Sequence, residues 1–248
     1  MKEKVIYRKR DVEIIDFFYE NDKVRAFFMD DALHSAMFVD EDKRESLLFP
    51  YMRNFDGVFT LNREIRRTLV IGGGMYVYPR HLSGMGLNVD VAEINPEYIE
   101  LARKYFFLTP DDESRMHVFH EDGRGYVRRN KNAYDAIFMD AFVGMVPSRS
   151  LTSVEAIQDV HASLREGGVY VVNYLGFKDF SRSQSLKNEI LTLKEDFAHV
   201  LAVRADIKDE AYRTNYVLFA SDTHDAIEGM CEYDLSCAEV IHDLEYWG

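Results

Sequence analysis

A chain of 248 residues, 47% of them hydrophobic, can bury the core of one large α/β domain with a small appendage, and it has no apolar run long enough to cross a bilayer. Its net charge of −13 argues against a nucleic-acid-binding surface, which needs clustered Lys and Arg, and weakly favours a cationic substrate. Two cysteines, Cys231 and Cys237, lack metal spacing and a His/Cys partner set and read as reduced thiols; with no signal-peptide core at the N-terminus, a cytoplasmic protein is expected.

Residues 1–60 differ from the rest. Val12–Tyr19 and Val24–Met29 are rich in β-branched and aromatic residues, which predicts two strands around a turn at Glu20–Lys23. Asp30 and Asp31 end the second strand, and a short strand near Ala36–Val39 completes a small antiparallel β region. Between Glu41 and Phe55 the apolar residues Leu47, Leu48, Tyr51 and Met52 fall at helical spacing, and Pro50 predicts a kink or an early helix end.

Within residues 61–248, strands and helices alternate. Strands are expected at 68–71, 88–92, 116–119, 134–139 and 169–173, and helices at 77–83, 96–105, 123–129, 153–164 and 183–195. Asn95 suits a helix cap and Pro96 a first helical turn. Segments 199–204 and 216–220 predict an antiparallel end hairpin, and 226–247 a last helix packing back on the domain. The fold class is therefore α/β: a Rossmann-like, doubly wound, mostly parallel sheet with an antiparallel end hairpin, plus the small N-terminal antiparallel β region.

Four stations along this alternation suggest a ligand site. The apolar run from Thr68 feeds directly into Gly72, Gly73 and Gly74, where the backbone can turn sharply and approach a ligand. The bland reading is a tight strand-to-helix turn. The spacing is not Gly-x-Gly-x-x-Gly, since Met75, Tyr76 and Val77 follow. A pyrophosphate cradle fits poorly, and a ligand without phosphate, such as an S-adenosyl compound, fits better. Glu93 ends the second strand, where a carboxylate can accept from both hydroxyls of a ribose; otherwise it is a surface residue beside a helix start. Asp122 and Gly123 follow the third strand, where Asp122 can accept from an adenine amino group, cap a helix, or do both. Asp140 ends the fourth strand, placed to take a proton from an amine or orient a substrate, unless it is only a turn residue. The histidines are scattered and predict no metal site, and no activated Ser or Cys signature is present.

These stations, in this order, resemble the spermidine synthase family, a branch of the S-adenosylmethionine-dependent methyltransferase fold. The resemblance covers roughly 12–176. It rests on the segments 69–74, 91–96, 121–126, 134–140 and 164–169. It implies an S-adenosylmethionine-binding domain over 61–248, with S-adenosylmethionine or its decarboxylated form as co-substrate and no metal. Gly72, Gly73, Gly74, Glu93, Asp122 and Gly123 would hold the donor, and Asp140 would stand at the family's catalytic aspartate. It also implies a small-molecule acceptor and a homodimer joined through the N-terminal β region. The sequence departs from the family at the acceptor. Met75 and Val143 stand where the family has aspartates, Phe49 where it has a tyrosine, and His34 where it has a glutamine. Losing acids that would pair with ammonium groups argues against putrescine as acceptor. The expected function is aminopropyl or methyl transfer to another acceptor, and the alternative is a non-catalytic S-adenosyl-binding or regulatory protein. A nicotinamide oxidoreductase is disfavoured by the absent phosphate-loop spacing.

Overall fold

The computed structural model describes residues 3–144, 146–205, 212–223, 235 and 237–243. The N-terminal strands β1 (Lys4–Lys9), β2 (Val12–Tyr19), β3 (Asp22–Met29) and β4 (Ala32–Phe38) form an antiparallel meander in that spatial order. Two of its three two-residue turns place both residues at positive φ: Glu20 and Asn21 at 54° and 93°, Asp30 and Asp31 at 50° and 60°. That geometry matches the twist of the flanking strands, and Asn and Asp adopt it at little cost. β1 was not expected. As an edge strand it buries no residue, so it carries no apolar period to read.

The helix expected across Glu41–Phe55 is corrected. Pro50 opens helix α1 (Pro50–Phe55) rather than ending one, and Phe49 before it is extended. Proline is well suited to the first helical position because its missing N–H has no intrahelical partner there, and it forces the preceding residue out of the helical region. A single turn, α2 (Val58–Leu61), leads into the main sheet.

The chain then runs β5 (Arg67–Ile71), α3 (Val77–Gly84), β6 (Asn88–Glu93), α4 (Pro96–Tyr105), α5 (Pro110–Arg115), β7 (Met116–His120), α6 (Gly123–Arg129) and β8 (Tyr134–Met139). A two-residue hairpin follows, β9 (Phe142–Val143) with β10 (Val146–Pro147), inside a segment expected to be a loop. The rest is α7 (Val154–Ser163), β11 (Leu164–Phe177), α8 (Gln184–Lys194), β12 (His199–Arg204) and β13 (Arg213–Ser221). α5 was also missed, although Thr109 and Asp112 form a reciprocal capping box around its first turn.

The seven strands of the main sheet lie in the order β12-β13-β11-β8-β5-β6-β7. From β7 to β11 every pairing is parallel, and β13 is antiparallel to both β11 and β12. Strand order reverses between β5 and β8, so the loops after them part and leave a crevice at the carboxyl ends. Successive sheet residues feed two cores. Val70, Phe138 and Val171 pack with α1, α3 and the N-terminal sheet, while Leu69, Ile71, Ile137 and Tyr170 pack with α6, α7 and α8. Covering both faces is what an all-apolar parallel strand requires.

The helix expected at 226–247 falls largely outside the described residues. Of its described residues, 235 and 237–243, the run 238–242 is not helical and docks across the domain. There the Val154 amide donates to the Ile241 carbonyl at 2.8 Å, and the Ile241 amide donates to Thr192 Oγ1 at 3.1 Å. Cys237 is exposed, and Cys231 lies outside the described residues, so the expectation of two reduced thiols falls partly outside them. Among the described residues no helix is long and apolar enough to cross a membrane.

Candidate active site

The bend after β5 is fixed by contact as much as by turning. Gly72 sits at φ 89°, and a Cβ there would lie 2.6 Å from the Asp140 carbonyl oxygen. The strand-tip loops after β5 and β8 can approach this closely only with glycine between them. At Gly123 a Cβ would collide with Ile71 Cγ2, so the start of α6 is drawn tight against the tip of β5. The tyrosine that follows the glycines, Tyr76, takes φ 60° at the cap of α3 and is fully buried. Its ring lies under Gly73, where a Cβ would meet Tyr76 Cζ at 2.8 Å.

A cavity of about 590 Å³ opens over these tips, and all seven residues singled out from the sequence line it: Gly72, Gly73, Gly74, Glu93, Asp122, Gly123 and Asp140. Glu93 is buried at 5% exposure. Its Oε2 accepts from the Gly73 amide at 2.9 Å and its Oε1 from the Asn95 amide at 2.8 Å. Burial pushes its pKa up, and the amides of Asn95, Gly73 and Gly74 pull against that rise. Asp122 caps α6 by accepting from the Gly125 amide at 2.8 Å.

Among the described residues Asp140 meets only neutral partners. Asn173 Nδ2 donates to its Oδ1 at 2.7 Å and the Tyr51 hydroxyl donates to its Oδ2 at 3.1 Å. Asn215 in turn donates to Asn173 Oδ1 at 2.8 Å, which fixes the orientation of that amide. Burial raises the Asp140 pKa, and the two hydrogen bonds only partly offset this. Among the described residues no Lys or Arg lines the cavity. An uncompensated carboxylate beside aromatic rings suits an amine or a cation.

Tyr51, Asn173 and Asn215 were not singled out from the sequence. Asn173 carried a signal, since it ends an expected strand of the parallel sheet. Tyr51 and Asn215 carried none, because each comes from a separate element, Tyr51 to reach Asp140 and Asn215 to reach Asn173. His34 lines the same cavity with a buried Nε2 that has no hydrogen-bond partner among the described residues, and burial pushes its pKa down. Met75 lines it too, with no exposure to solvent. Among the described residues no group of His, Cys, Asp and Glu has the arrangement of a metal site.

Comparison with known proteins adds family to geometry. Residues 54–206 match the spermine/spermidine synthase domain. A polyamine aminopropyltransferase of Alkaliphilus oremlandii is 29% identical over 175 residues, covering 68% of this chain and 61% of that protein. An N-terminal histidine N-methyltransferase of Emericella nidulans is 35% identical over 113 residues, 44% of this chain and 20% of that protein. The spermidine synthase structure from Thermotoga maritima superposes with a TM-score of 0.69 at 22% identity, over 92% of this chain and 76% of that one. The chain spans about half the length of the curated relatives it matches, 61%, 51% and 40% for three of them.

Proposed function

Because the chain belongs to the spermine/spermidine synthase family, we propose that it alkylates an amine with an adenosyl sulfonium donor lying across the glycine bend. The group transferred is aminopropyl, from decarboxylated S-adenosylmethionine, the transfer for which its relatives are named. In this reading the ribose hydroxyls donate to Glu93, and the adenine amino group donates to Asp122 beside Gly123. The acceptor must attack as a neutral amine. Its lone pair forms the new C–N bond as the C–S bond breaks, the bonding electrons return to sulfur as a neutral thioether, and the surplus proton passes to Asp140. A carboxylate whose pKa is raised by burial takes that proton more readily than a solvated one.

The observation that carries this reading is the convergence of the nucleoside-side acids and the cation-free Asp140 on one cavity. Calorimetry with methylthioadenosine tests it. Glu93→Ala is expected to abolish measurable binding, and unchanged affinity would remove Glu93 from the site.

Methyl transfer from S-adenosylmethionine is the second reading, and Met75 favours it. This buried thioether follows Gly74 on the cavity wall and offers no charge to the ammonium of an aminopropyl group. The 35% identity to an N-methyltransferase points the same way. Methyl transfer depends chiefly on alignment, which the rigid strand tips supply. Tight binding of adenosyl compounds without turnover of any amine by either donor would leave a non-catalytic binding protein.

A further inference from the structure

If the cavity alkylates an amine at Asp140, as proposed above, its walls decide what else that amine can carry. Three carboxylates line it: Glu93, Asp122 and Asp140. The first two are engaged at the tips of β6 and α6, by backbone amides of Gly73 and Asn95 and of Gly125 respectively. Only Asp140 stands against the aromatic wall. That wall is a chain of rings: Phe49 stacks on Tyr51 at 5.7 Å, Tyr51 meets Phe55 at 5.5 Å, and Phe55 meets Tyr78 at 4.9 Å. Its polar atoms are already committed. The Tyr51 hydroxyl donates to Asp140 at 3.1 Å, and the Tyr78 hydroxyl donates to Asp56, outside the cavity lining, at 3.2 Å.

A second ammonium on the acceptor would therefore be buried against rings without a counter-charge. A carboxylate on the acceptor would fare no better, because no Lys or Arg among the described residues lines the cavity. Ring faces can attract a cation, but Phe55 and Tyr78 are packed against each other and against Phe138, at 5.7 Å and 5.0 Å. We propose that the acceptor is a monoamine with an uncharged apolar or aromatic body, its nitrogen at Asp140 and its body against Phe49, Phe55 and Tyr78.

The test compares near-isosteres. In pentylamine a methyl group replaces the second ammonium of putrescine, and phenethylamine supplies a ring. With each donor, kcat/KM for pentylamine or phenethylamine is expected to exceed that for putrescine by about tenfold or more, as unpaired burial of a charge implies. Calorimetry on the methylthioadenosine-loaded protein should give the same order of affinities. Phe49→Glu, which sets an acid in the wall, is expected to shift the preference toward putrescine, and its melting temperature reports whether it folds. Putrescine bound and turned over as well as or better than pentylamine would overturn the monoamine assignment while leaving amine alkylation standing. Failure to bind methylthioadenosine, or turnover of no amine with either donor, would remove the alkylation reading and this assignment together.

Discussion

At Asp140 three neutral side chains from three elements settle what one carboxylate can do. Asn173 on β11 and Tyr51 on α1 hold its two oxygens, and Asn215 on β13 holds Asn173. None of them carries charge, so burial dominates and the carboxyl pKa rises. Asp140→Asn keeps the size and one acceptor oxygen but removes the proton acceptor. Turnover is expected to fall by about 100-fold or more, in line with losing a general base, while methylthioadenosine affinity stays within about twofold. Steady-state kinetics beside calorimetry checks both. Equal activity in the variant would make Asp140 structural. Glu93 differs in kind. Its partners are backbone amides of the glycine bend and of the start of α4, so the unliganded side chain already ties two strand tips together. A ribose would compete for, or share, an acid that has a structural task.

Elements were legible where the sequence punctuates them. α4 begins at the Asn95 cap and Pro96, α6 at the Asp122 cap, and β8 covers the expected 134–139. The acids at strand ends were legible for the same reason: in a parallel sheet the strand tips face one crevice, so Glu93, Asp122 and Asp140 had to converge if the strands were right. Hidden features depended on contacts between elements distant in sequence, or on the absence of burial. β1 buries nothing, Pro50 can start or stop a helix, and Tyr51 reaches Asp140 across 89 positions of chain. The C-terminal segment is a further case. Arg124, buried on α6, is held bidentately by Asp243 at 2.7 Å through both terminal nitrogens, and Ser153 also donates to Asp243. Since α6 begins with Gly123 against the cavity, this strap tethers the helix that presents Asp122. Asp243→Asn leaves Arg124 with Asp159 as its charged partner. The expected result is a lower melting temperature and methylthioadenosine binding weaker by about threefold to tenfold, as for loss of one partner of a half-buried bidentate ion pair. A lower melting temperature with unchanged affinity would confine the strap to stability.

Across the whole molecule, the buried acids fall into two electrostatic kinds that respond oppositely to pH. Burial raises the pKa of Asp16 and of Asp90, but their partners more than reverse it. Arg25 and Lys23 hold Asp16, while Tyr134, Arg67 and His117 hold Asp90, and both carboxyls end below their usual range. Such groups contribute stability above their unfolded pKa and lose it as pH falls through the folded one. Glu189 on α8 is the reverse. It is fully buried, both carboxylate oxygens lack a hydrogen-bond partner among the described residues, and burial pushes its pKa well above the usual carboxylate value. Its unfolded form ionises above about pH 4.3, whereas the folded form keeps its proton. Between those two values the folded state holds one more proton than the unfolded chain. Stability is therefore full below the unfolded pKa and falls as pH rises toward the folded one. Glu189→Gln removes the titration and keeps the shape. Between pH 5 and pH 8 the melting temperature of the parent chain is expected to fall by about 3 °C or more beyond that of the variant, at the usual sensitivity for a domain of this size. Taking the difference between the two proteins cancels the general repulsion that a net charge of −13 brings at high pH. Parallel melting curves across that range would mean that Glu189 ionises in the folded protein and finds a partner there.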